Sequence, residues 1–112
     1  MECKMHLDDV YFKKVNDGTK SIEIRLNDEK RSKLKIGDTI TFTNRKNNKK
    51  ISVIITDIKT YDNFEELYRH TDKIKMGYKE SDIASPADMN LYYSLDKIDK
   101  YGVISIEFKK ED

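Results

Sequence analysis

Cysteine, histidine and glycine are scarce in this chain, and each scarcity closes off a kind of chemistry. The 112 residues include one cysteine, two histidines and four glycines. Cys3 has no partner for an internal disulfide. With only His6 near it in sequence it lacks the setting of an activated thiolate, so it reads as a structural residue in an N-terminal strand, and a lone thiol fits a reducing cytoplasm. His6 and His70 stand apart and no Cys or His recurs at ligand spacing, so no metal site and no cofactor are expected. There is no glycine-rich phosphate loop and no nucleophile elbow. No apolar run reaches the length of a membrane span or a secretory signal, so the chain reads as soluble and cytoplasmic, with no membrane partner.

What is abundant is charge of both signs. Lys and Arg number 22 against 21 Asp and Glu, and the net charge of +1 excludes a general basic coat for nucleic acid. Any such contact must come from a local patch, and basic residues do cluster at 30–35 and at 45–50. Apolar residues make up 37% of the chain, enough at this length for one modest core and one domain over residues 1–112.

The most informative stretch runs from Asp17 to Leu26. Gly18 ends a preceding helix, and the residues from Lys20 onward alternate as a strand. Ile22, Ile24 and Leu26 form one side, and Ser21, Glu23 and Arg25 the other. Alternation places Glu23 and Arg25 on the same face, about 7 Å apart along the chain. That face is either a solvated edge holding an ordinary ion network or the floor of a cleft. In a cleft, Arg25 would offer a planar fork for a phosphate, carboxylate or base edge, Lys20 a compact charge whose pKa falls when desolvated, and Glu23 a general base.

Around this strand the pattern predicts a strand over Glu2–Leu7 and a helix from Asp8 or Asp9 to Gly18. A short helical turn is predicted over Glu29–Leu34, then strands over Thr39–Thr43 and Lys49–Ile58 joined by a basic tip at Arg45-Lys46-Asn47-Asn48. Asp62 to Glu65 reads as a capping box opening a helix with Phe64, Leu67 and Tyr68 on its apolar side. Residues 71–84 show no period and read as a flap. Ser85-Pro86 opens a short helix to about Leu91, and Ser94 caps another ending near Gly102. Val103–Phe108 is the last strand, with 109–112 expected to fray. Strands early and late with helices inserted between them predict an α+β barrel and not a parallel βαβ sheet. Tyr92, Tyr93 and Tyr101 are either core and rim residues or stacking platforms for an unpaired base.

Gly18, Lys20, Glu23 and Arg25, followed by Asp28, Lys30, Arg31 and the Ile36-Gly37-Asp38 turn, together resemble the signature of the ASCH (activating signal cointegrator homology) domain. Tyr92-Tyr93-Ser94 and Tyr101-Gly102-Val103 complete a likeness that runs from about Met5 to Phe108. The resemblance implies a small PUA-like β-barrel with short peripheral helices around an open cleft, and RNA or a modified nucleoside as the partner. It implies a binding site made of Lys20, Glu23, Arg25 and Arg31, with Arg45 and Lys46 at the rim and Tyr92 and Tyr93 at the mouth. Some bacterial members are amidohydrolases on acetylated cytidine that use a lysine matched here by Lys20, a threonine whose place Glu23 takes, and a distant glutamate for which Glu80 is the candidate. Another relative is a ribonuclease. An enzyme of either kind would make Lys20 and Glu23 its catalytic residues.

Overall fold

Alternation makes Glu2–Leu7 (β1) a strand, with Cys3, Met5 and Leu7 buried and Glu2, Lys4 and His6 exposed. The computed structural model describes residues 2–111. Helix α1 (Asp9–Asn16) follows and buries Phe12 and Val15. Next come strand β2 (Ile22–Leu26), a 3-10 turn at Arg31–Lys33, and the hairpin of β3 (Thr39–Asn44) and β4 (Lys50–Tyr61). Asn48, with φ of 60°, supplies the left-handed residue that the hairpin tip requires. Short helices α2 (Phe64–Arg69) and α3 (Lys73–Met76), a 3-10 segment over Pro86–Leu91, and α4 (Leu95–Tyr101) lead to the last strand, β5 (Val103–Lys110).

The five strands form one curled sheet in the order β1-β3-β4-β5-β2, with β1 parallel to β3 and every other pair antiparallel. The fold is α+β, a half-barrel whose edges are β1 and β2. The parallel β1–β3 pair makes the sheet mixed, within the α+β arrangement that the sequence pattern predicts. A register shift between Ile55 and Asp57 puts a bulge in β4, which increases local twist and lets this long strand wrap.

Two hydrophobic clusters lie on opposite faces. Met5, Ile40, Phe42, Val53, Ile55, Ile104 and Ile106 form the main one together with α1. Ile22, Ile24, Leu26 and Val103 turn the other way, toward Phe64, Leu67, Met76 and Ile98. The predicted isoleucine side of β2 therefore packs into the smaller core, and its charged side faces the larger one.

Several boundaries differ from the sequence reading, among them the end of β4, which runs on to Tyr61 past the expected Ile58. The cap of α2 is Asn63, whose side chain accepts from Glu66 N at 2.9 Å, one residue after the expected box begins. Residues 71–84, read as an unstructured flap, contain α3, capped by Asp72 and stopped by Gly77 at φ 110°. Lys109 and Lys110, expected to fray, extend β5 because Ile54 and Val53 lie opposite them to complete the ladder. Asp112, assigned to the same frayed end, lies outside the described residues. Among those residues no helix is long and apolar enough to cross a membrane.

Gly102 joins α4 to β5 at φ 71°, ψ −170°, a conformation almost confined to glycine, and an added Cβ would sit 2.9 Å from the Tyr61 carbonyl oxygen. We expect Gly102→Ala to cost on the order of 1–3 kcal/mol. A urea midpoint within error of the parent would contradict this.

Candidate functional site

The charged side of β2 is buried. Glu23 lies opposite Ile106 and Arg25 opposite Ile104, two residues of the main core, so alternation that might have led to solvent leads into the concave face of the half-barrel. Lys20 is 3% exposed and Glu23 5%. Charges so deep in a protein persist only when paired and hydrogen-bonded, and here every arm is engaged.

Lys20 Nζ donates to Ile22 O at 2.6 Å and to Met76 O at 2.8 Å, and meets Glu23 Oε1 at 3.2 Å. Those contacts use all three of its protons. Glu23 Oε1 also accepts from Ile24 N, while Oε2 takes both Arg25 Nε at 3.0 Å and Arg25 Nη2 at 2.7 Å. Arg25 Nη2 continues to His6 O at 3.0 Å, and Lys30 Nζ reaches Lys4 O at 2.8 Å. Two cations thus satisfy carbonyls on the unpaired side of β1 and tie the two edges of the half-barrel where no ladder joins them.

Electrostatics follow from this packing. Burial pushes Lys20 below its usual value, partly opposed by Glu23. Burial alone would raise Glu23, but Lys20 and Arg25 outweigh it and hold the carboxyl below the ordinary glutamate value. For Arg25, desolvation is likewise outweighed by Glu23, and its pKa rises.

These residues floor a cavity of about 630 Å³, within the range of small-molecule sites. Its walls carry five tyrosines, Tyr11, Tyr68, Tyr78, Tyr92 and Tyr93, with Lys14 and Arg45 at the edge. One wall is the end of α3 and the segment after it. It is fastened by Lys20 on Met76 O, by Ser21 N on Lys75 O at 3.0 Å and by Lys14 Nζ on Gly77 O. Gly77 lies so close to Tyr11 that a Cβ there would meet the ring at 3.2 Å.

Of the residues singled out from sequence, Lys20, Glu23, Arg25, Arg45, Tyr92 and Tyr93 line this cavity. Tyr92 is 62% exposed at the mouth, whereas Tyr93 is half-buried and stacked on Phe64 with ring centroids 6.0 Å apart. Arg31 and Lys46 are not among the lining residues. Arg31 Nη1 pairs with Asp28 at 2.8 Å, and Lys46 stands exposed on the hairpin tip, 3.9 Å from Asp9. Arg45 meets Asp8 at 3.5 Å. Tyr101 packs with the smaller core, and Glu80 is exposed and outside the cavity.

Sequence reasoning missed Tyr11, Lys14, Tyr78 and Asp88 as residues of this cavity, and took Tyr68 only as an apolar position of a helix. Nothing local marks them. They meet because α1, α2 and the residues after α3 converge on β2, a long-range arrangement that spacing does not encode. Among the described residues no cluster of three or more His, Cys, Asp or Glu could hold a metal.

A curled mixed sheet with short helices around a charged, tyrosine-walled cleft defines a PUA-like α+β domain. The model of the ASCH domain family matches residues 5–112, and the chain belongs to that family, for which RNA binding has been proposed. The crystal structure of hypothetical protein PH0355 superposes with a TM-score of 0.83 at 29% identity, covering 99% of this chain and 100% of that one. A Pyrococcus furiosus protein solved in solution, also 29% identical, gives 0.70 with 100% and 99% coverage. A mutant ASCH protein from Zymomonas mobilis shares the fold at 14% identity and a TM-score of 0.63, covering 99% of this chain and 68% of that one. Among curated proteins none matches.

Proposed function

We propose that the cavity binds RNA or a modified nucleotide, with a base inside and phosphate at the rim formed by Arg45 and Lys46. The observation that carries this is the Lys20–Glu23–Arg25 set beneath a cavity of about 630 Å³ whose walls hold five tyrosines. Aromatic faces stack on a base at roughly 1–3 kcal/mol per base. Arg45 and Lys46 are 58% and 71% exposed, and their pairs with Asp8 and Asp9 are worth little, so a phosphate can replace either aspartate.

Membership of the ASCH family supports the same reading. A hydrolase in this cavity would need a free proton acceptor at Lys20 or Glu23. The three Lys20 protons and both Glu23 oxygens are already committed, which favours binding over turnover.

The test is a salt titration of affinity for a short single-stranded RNA. Log affinity should fall linearly with log salt. The Arg45→Ala/Lys46→Ala protein should keep the parent's melting temperature while its slope becomes shallower by about 1.4. An unchanged slope would remove these two residues from the site. No binding by the parent at low salt would remove the RNA reading.

A further inference from the structure

Tyr68, Tyr78 and Asp88 form a directed chain of hydrogen bonds in the cavity wall. Tyr78 Oη donates to Asp88 Oδ2 at 2.7 Å and lies 2.8 Å from Tyr68 Oη. Since the single proton of Tyr78 is given to the carboxylate, Tyr68 must donate to Tyr78, and the chain ends on Asp88. Burial raises the pKa of both tyrosines, so neither gives up the proton that fixes this direction.

The end of the chain is a charged acceptor with capacity left. Ser85 N makes a long contact to the same Oδ2, at 3.4 Å, and closes the cap of the Pro86–Leu91 segment. Among the described residues, Asp88 has no ion pair, and its Oδ1 has no hydrogen-bond partner. Its bland role is that cap. The cap, however, does not require two half-buried tyrosines to orient this exposed carboxylate, nor a position on the cavity wall.

The balance of charge around the cavity says what suits it. Five cationic residues and four carboxylates line it, so its interior is close to neutral, and a phosphate inside would face Asp88, Asp82 and Glu23. A neutral ring carrying N–H donors has no such conflict. Adenine, cytosine and guanine carry an exocyclic amino group, whereas uracil presents carbonyl oxygens where cytosine has its amino group.

Resting on the nucleotide-binding reading above, we propose that Asp88 is a specificity-determining residue that accepts a hydrogen bond from the amino group of the bound base. The preferred ligands are therefore amino-bearing bases, and uracil is disfavoured. Tyr78, with Tyr68 behind it, is a positioning residue that aims the carboxylate.

The experiment measures dissociation constants of adenosine, cytidine, guanosine and uridine by titration calorimetry or ligand-observed NMR. The parent, Asp88→Asn and Tyr78→Phe proteins are compared, each checked for a native melting curve. In the parent, at least one amino-bearing nucleoside should bind about ten- to hundredfold tighter than uridine, the worth of a hydrogen bond to a charged group. Asp88→Asn, which keeps the shape and can donate to a carbonyl, should bring that ratio near unity by weakening the amino nucleoside and strengthening uridine. Tyr78→Phe should reduce it in part. Equal binding of uridine by the parent, or a preference that survives Asp88→Asn, overturns the assignment while leaving nucleoside binding intact. If none of the four nucleosides binds, this assignment fails. If the single-stranded RNA fails to bind as well, the reading of the cavity as a nucleotide site fails with it.

Discussion

Replacing Lys20 by Met should cost about 3–5 kcal/mol of folding stability, the range found when one member of a buried ion pair is removed. The ammonium is 3% exposed and serves three acceptors at once. Without it Glu23 loses one of its two cations, and the carbonyls of Ile22 and Met76 lose a buried donor. Met retains much of the stem, so packing against Tyr11 and Gly77 changes little and the loss reports on charge. For a domain of this size such a change lowers the melting temperature on the order of 15 °C or more. It is also a large part of the 5–15 kcal/mol total typical of single domains. Thermal and urea denaturation of the parent and of Lys20→Met measure it. A loss below about 1 kcal/mol would mean that the ammonium is solvated and exchanging, as in a surface pair. The prediction bears on function too. Loss of binding or turnover in a Lys20 variant means nothing about chemistry until the variant is shown to be folded at the assay temperature.

The same packing explains why much of the fold and only part of the site were legible in the sequence. The period of β2 gave the shared face of Glu23 and Arg25 and the core side of Ile22, Ile24 and Leu26, because alternation is a property of one strand alone. Whether that face met water depended on what lay opposite. That was decided by the pairing of β2 with β5, eighty or so residues away, and by the curl of the sheet over α1. Capping residues announced most helices, whereas α3 went unread because its four residues show too little periodicity, although Asp72 and Gly77 bracket it in the usual way. Arg45 lines the cavity because β1 pairs with β3 and brings the hairpin tip to the start of α1. Arg31, equally basic and closer in sequence to β2, was drawn instead into a local pair with Asp28, which also accepts its backbone N–H at 3.1 Å. The tyrosines of the walls could not be assembled from spacing, since they come from α1, α2, the turn after α3 and the turn after the Pro86–Leu91 segment.

Glu23→Gln should be nearly as damaging at neutral pH, and its cost should vanish in acid. The amide keeps the shape of the carboxylate but leaves Lys20 and Arg25 as like charges without their counterion, again a loss of about 3–5 kcal/mol. Glu23 titrates below the ordinary glutamate value in the folded protein, because Lys20 and Arg25 outweigh the cost of burying it. Below the unfolded value the unfolded chain therefore binds more protons than the folded one, and stability falls as the pH falls. The contribution of ionised Glu23 is complete above the unfolded pKa and is lost as the pH drops through the folded one. Asp9, Asp17 and Asp38 also titrate low, but they do so in parent and variant alike, so subtraction isolates Glu23. The two stability curves should run parallel above about pH 5 and converge below it. A gap that stays constant into acid would show that the Gln variant fails for reasons of shape or hydrogen bonding. The Lys20–Glu23–Arg25 set would then not be the ionised cluster that floors the cavity.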